Sequence, residues 1–106
     1  MWKNVKIQNV SKIEKCVAEF VVWAVELLPY AKMKVKIFED QDGYFTGQTD
    51  IRVKSKFDGS PEGGIGHGAT IDETLEDTLN YFMELVQDYQ NRLEPEDIEY
   101  SEWSDF

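Results

Sequence analysis

Glu73, Asp77, Tyr81, Glu84 and Asp88 recur at intervals of three and four residues, which sets four carboxylates and one phenol along a single stripe if the stretch is helical. Such a row can imitate the phosphates of a nucleic acid and fit a basic groove on another protein. It is equally the pattern of any solvated helix face. A second regularity has the opposite sign. In "KMKVKIF" and "DIRVKSKF" basic and mostly apolar residues alternate. As strands, these would place Lys32, Lys34 and Lys36 on one face and Arg52, Lys54 and Lys56 on one face of a neighbour. Six cations opposite one another would destabilise the pair unless something neutralised them. A nucleic-acid backbone could do so, although sheets that bind RNA put aromatics on that face for stacking. Lysines that protect a sheet edge are the alternative.

The remaining reactive side chains carry less. His67 and Cys16 are the only residues of their kinds, whereas a zinc site needs several such ligands at short spacing. Cys16 falls in an apolar run and reads as inert core. The loop "DGSPEGGIGHGA" holds five of the seven glycines, but it lacks the Lys-Ser/Thr ending of a P-loop and the dinucleotide fingerprint. Asp72 and Glu73 in the first turn of the following helix would repel an anion there, so the loop reads as a flexible linker. With 21 acids in the chain, any one carboxylate pair is uninformative about acid–base chemistry. These observations favour a protein that is not an enzyme and takes no cofactor or metal.

The elements that must position these groups follow from pattern. The length of 106 residues suits one domain, here residues 1–94, with 95–106 as an acidic aromatic tail. "WKNVKI" alternates like a short strand with Val5 and Ile7 inward. Ser11 opens "SKIE", a capping-box pattern, and Ile13, Val17, Phe20, Ala24, Leu27 and Leu28 follow at helical spacing, ending near Pro29. Trp23 would then project from the polar side of that helix, as a possible interface anchor. Strands over 32–39 and 44–57 come next, joined by the Asp-Gly signal of "EDQDGYF". Met33, Val35 and Ile37 face Ile51, Val53 and Phe57. Gly64 to Ala69 could include a short edge strand. Thr70 opens a second helix through "TIDE", with Ile71, Leu75, Leu79, Phe82, Val86, Tyr89 and Leu93 inward, and Pro95 ends it. The order β-α-β-β-α implies an α+β fold with both helices on one face of a small antiparallel sheet, leaving the basic face open.

Charge is divided unevenly. Residues 1–56 hold ten Lys/Arg against seven Asp/Glu, and residues 57–106 hold only Arg92 against fourteen, for a formal net charge of -10. Such a half would repel nucleic acid and anionic membranes and attract cationic protein surfaces. No apolar run is long and uncharged enough to span a bilayer. The absence of an export signal and the lone cysteine point to the cytoplasm. In the tail, Glu96, Asp97, Glu99 and Glu102 are interleaved with Tyr100, Trp103 and Phe106. The expectation is that these acids pair with the Lys/Arg ladder while Trp103 and Phe106 cover the sheet edge, on the same chain or on a second copy.

"EDQDGYF" followed by "GHGATIDETLEDTLNYFMEL" resembles the small antitoxins of the HicB type over roughly residues 34–85. Gly43, Tyr44, Gly68, Thr70 and Glu73 carry the likeness, which implies a toxin partner. The chain departs from that pattern in the long helix expected before the sheet and in "DGSPEGG" between the strands, and no DNA-binding domain is expected to follow the matching stretch. Small size and acidity also resemble bacterial or phage inhibitors, including immunity proteins and anti-CRISPR proteins that imitate DNA. The reading is therefore a protein-binding inhibitor that occludes a basic groove. The alternatives are a nucleic-acid binder using the basic sheet face, and a homodimer.

Overall fold

The computed structural model describes residues 1–90, 92–101 and 106. A five-stranded antiparallel sheet carries one α-helix on one face. Strands β1 (Glu14–Trp23), β2 (Lys32–Asp40), β3 (Phe45–Lys54) and β4 (Pro61–Gly68) lie in sequence order. Helix α1 (Ile71–Val86) follows, and a short β5 (Ile98–Tyr100) pairs with β3. The α+β class holds, but the expected two-helix order does not.

The segment expected to be the first helix is β1. Helical spacing and two-residue alternation share Phe20 and Ala24, so the pattern is ambiguous there. Val17, Val21 and Val22 with Phe20 and Trp23 tip it towards a strand, because β-branched and aromatic side chains fit a pleated surface. Ala18, Phe20 and Val22 stand opposite Ile37, Val35 and Met33 of β2, and an irregularity between Cys16 and Ala18 corrects the phase. Cys16 is consequently exposed rather than in the core. The expected first strand is also absent: Trp2–Asn4 form a single 3-10 turn, and Val5 and Ile7 are exposed.

The turn between β2 and β3 forms as its sequence suggests. Gly43 has φ +87°, and the Asp40 carboxylate accepts the N–H groups of Asp42 and Tyr44 at 2.8 and 3.0 Å. Strand β3 stops at Lys54, so Phe57 is not on the inner face. It sits 95% exposed in the β3–β4 connection.

The glycine-rich stretch is the fourth strand, and its glycines let the helix come close. Gly64, Gly66 and Gly68 alternate inward. A Cβ on Gly66 would lie 2.3 Å from the Thr78 nitrogen, and one on Gly68 would lie 2.8 Å from Thr74 Oγ1. Gly47 on β3 meets the same Thr78 hydroxyl. Helix α1 therefore rests on a glycine floor with Thr74 and Thr78 at its centre, a rotation of about one residue from the apolar stripe read in sequence. Both hydroxyls bond back to carbonyls four residues earlier, at 2.7 and 2.6 Å, so neither is orphaned. The buried core runs through Leu28, Met33, Ile51, Val53, Phe82, Val86, Leu93 and Ile98. The helix ends at Val86, well before Pro95, and continues as a 3-10 turn Gln87–Tyr89.

Candidate functional site

Two surfaces emerge from this frame. The first is the outward face of α1. Half of the expected capping box forms: Glu73 N–H donates to Thr70 Oγ1 at 3.1 Å, while the Glu73 carboxylate accepts not the Thr70 N–H but that of Ala69, one residue before the cap, at 3.1 Å. Asp77 accepts the His67 N–H at 2.8 Å, which satisfies a backbone donor on the outer edge of β4. The Tyr81 hydroxyl donates to Glu62 Oε2 at 2.5 Å, and this bond to an anion raises the phenol's pKa. Three of the five stripe residues thus also fasten the helix and its first turn or tie it to β4.

Glu84 and Asp88 have no such bond among those described, and both are exposed. They border a cleft of about 280 Å³ with Lys54, Lys56, Asp58, Glu62 and Tyr89. Glu84 lies in the last turn of α1, which contains no basic residue. Negative charge there opposes the helix dipole. The whole stretch 71–90 holds six carboxylates and no Lys or Arg. The ion pairs among the described residues are Lys3–Glu39, Lys12–Glu14, Lys36–Glu19 and Arg92–Glu94, and none includes an acid of α1.

The second surface is the open face of the sheet. Lys32, Lys34 and Lys36 share it, but the register is not the one that stacks six cations. Lys36 pairs with Gln48, while Arg52 pairs with Glu99 of β5. Acids are threaded between them. Glu19 stands opposite Lys36 on β1 with 4.0 Å between the charged atoms, and Asp50 accepts the Lys34 N–H at 2.9 Å. Half-burial raises the Asp50 pKa, against the lowering effect of the Lys34 hydrogen bond. Lys56 lies beyond β3, its ammonium 4.6 Å from the ring centre of Tyr89, and the carbonyl of Lys54 accepts the Tyr89 hydroxyl. The ladder is therefore split, and much of it is locally balanced.

Trp23 belongs to this same open face. It ends β1 opposite Lys32, whose ammonium lies 5.0 Å from the indole centre, and it is 64% exposed. A helical reading of its segment hides this alignment with the lysines, which the strand register creates.

The tail positions divide. Ile98 to Tyr100 are β5; Ile98 is buried, and Glu99 and Tyr100 are exposed. Tyr100 approaches Tyr30 at 6.4 Å between ring centres. Glu96 and Asp97 belong to a 3-10 turn, Pro95–Asp97, in which Glu94 N–H donates to the Asp97 carboxylate at 2.8 Å. The backbone oxygen of Phe106 accepts a bond from Lys36 Nζ at 2.7 Å, and that ammonium lies 4.4 Å from the phenyl centre. Glu102 and Trp103 lie outside the described residues. A groove of about 840 Å³ remains on this face, lined by Glu19, Lys34, Lys36, Asp50, Ser101 and Phe106 among others.

Among the described residues no group of three or more His, Cys, Asp or Glu side chains could hold a metal ion. No helix among them is long and apolar enough to cross a membrane. Comparison with protein-family models, with curated proteins and with solved structures finds no match in any of the three. The positions that carry the antitoxin likeness all have structural tasks here: Gly43 and Tyr44 in the β2–β3 turn, Gly68 beneath Thr74, and Thr70 with Glu73 in the helix cap.

Proposed function

We propose that the protein is a non-enzymatic binding module of the cytoplasm whose α1 face occupies a cationic groove on another protein, as an inhibitor of the antitoxin, immunity or DNA-mimic kind would. One observation carries this reading: the six carboxylates between Asp72 and Asp88 have no ion-pair partner among the described residues. Glu84 and Asp88 add to it, because they sit where the helix dipole makes negative charge costly to the chain itself. A partner's Lys and Arg side chains would relieve that cost. Complementary charge at the rim accelerates encounter at low salt.

The test is capture from the host's own extract on immobilised full chain, beside a chain carrying Glu84→Lys and Asp88→Lys. The expected result is a basic protein retained by the first and lost with the second. Equal retention on both would reject α1 as the binding face.

The position of Trp23 favours a second reading, in which the open sheet face takes single-stranded nucleic acid. An exposed indole beside Lys32, Lys34 and Lys36 offers the stacking surface that the sequence pattern lacked. Binding of a labelled oligonucleotide should then fall steeply with salt. The interleaved Glu19, Asp50 and Glu99 weigh against it.

A further inference from the structure

Among the described residues, only β5 fills a gap on the β2 side of β3. Pairing of β2 with β3 ends at Val35↔Thr49, yet β3 runs on to Lys54. At Arg52 and Val53 the other edge of β3 is already paired with Gly63 and Glu62 of β4. Strand β5 therefore takes the β2 side, pairing Ile51, Arg52 and Val53 with Tyr100, Glu99 and Ile98, and Ser101 N–H extends the ladder to the Asp50 carbonyl at 2.7 Å. Opening this contact would bare the strand edge beside Ile51 and Val53, both buried, and leave their neighbours' backbone groups unpaired.

The contact is nevertheless small. Three residues pair, and of these Ile98 alone is buried. Upstream, Leu93 is fixed, with its N–H on the Leu27 carbonyl at 2.8 Å and its side chain buried. Between Leu93 and Ile98 the Glu94–Asp97 turn is held by bonds within itself. Rotation of the chain between these two points releases β5, together with the Tyr100–Tyr30 and Phe106–Lys36 contacts that it carries, without disturbing α1 or the core at Leu93. The released strand and the vacated edge of a second copy then offer each other the same hydrogen bonds and the same pocket for Ile98. A closed two-fold exchange satisfies both edges at once.

We infer that β5 is an exchangeable strand, and that the occupant of the β3 edge in a second assembly state is β5 of another copy of this chain. The product is a dimer carrying two α1 faces, and it does not depend on what those faces bind. Each copy has a net charge of -10, so salt favours the exchange by screening their repulsion.

The test uses full chains carrying Cys16→Ser. Chains with Arg52→Cys are mixed with chains carrying Glu99→Cys, equilibrated at high concentration and raised salt, and treated with a short bis-maleimide. As a control, Thr46→Cys chains are mixed with His67→Cys chains; these positions pair across the β3–β4 hairpin, which cannot exchange without dismantling the sheet. The expected result is a cross-linked heterodimer at least about tenfold above the control, since thiols held side by side react at effective concentrations of order mM. Equal yields from the two mixtures would overturn the inference.

Discussion

On the open face of the sheet, Lys36 stands beside Glu19, Lys34 beside Asp50 and Arg52 opposite Glu99. On α1 and the 3-10 turn that continues it, Asp72, Glu76, Glu84 and Asp88 face solvent without a cation in any ion pair among the described residues. The same residue types thus serve different ends. Charge that is matched across strands holds a register and is worth little to a visiting molecule, because its partners must first be displaced. Unmatched charge on a rigid helix is open to an outside partner. Six of the chain's 21 acids lie on this stretch, and no Lys or Arg lies among them.

The comparison breaks most completely if the helix loses its seat. Gly66→Val places new atoms where the Thr78 backbone already lies; a denaturant titration should show a loss of about 3 kcal/mol or more. Ile98→Ala attacks the other region, removing the apolar anchor of β5. It should cost about 2–3 kcal/mol in the same assay while leaving capture by the α1 face intact.

Charge reversal separates stability from function. Glu84→Lys with Asp88→Lys should raise stability by roughly 0.5–1 kcal/mol, because cations suit the C-terminal end of a helix. Retention of the basic partner should disappear at the same time. A pair of substitutions that strengthens the fold and abolishes binding would sharpen the distinction between the two faces.

The smallest effect is expected at Asp50. Burial raises its pKa, so its folded form binds a proton more readily than its unfolded form. Its contribution to stability is fully present below the ordinary carboxylate pKa and is lost as pH rises through the higher folded value. Asp50→Asn keeps an acceptor for the Lys34 N–H and removes the charge. Its melting temperature should exceed that of the native chain at neutral pH, and the gain should fade as pH falls through the carboxylate range.

Much of this architecture can be read in the residues, and the failures have causes. The alternation of Met33, Val35 and Ile37, the Asp-Gly turn and the "TIDE" cap identify β2, the hairpin and α1, because each is a local signal with a local mechanism. Strand β1 is obscured by Phe20 and Ala24, which satisfy both periods. Strand β4 is obscured because a run of glycines looks like a linker until a helix is laid on it. Register lies beyond either pattern: the slip that sets Arg52 against Glu99 depends on where β2 and β3 part. The site follows the same rule. The spacing of Glu73, Asp77, Tyr81, Glu84 and Asp88 is legible, but the attachment of Asp77 and Tyr81 to β4 is not, since β4 itself had to be found first. Trp23 could be seen as exposed, yet its place beside Lys32 required the right element.

The most direct measurement is carbodiimide footprinting of the full chain, free and with its captured partner, read carboxylate by carboxylate in the mass spectrometer. Labelling should drop at Asp72, Glu76, Glu84 and Asp88 and stay unchanged at Glu19 and Glu99. Protection of the sheet acids with α1 still fully labelled would contradict the assignment of the helix as the binding face.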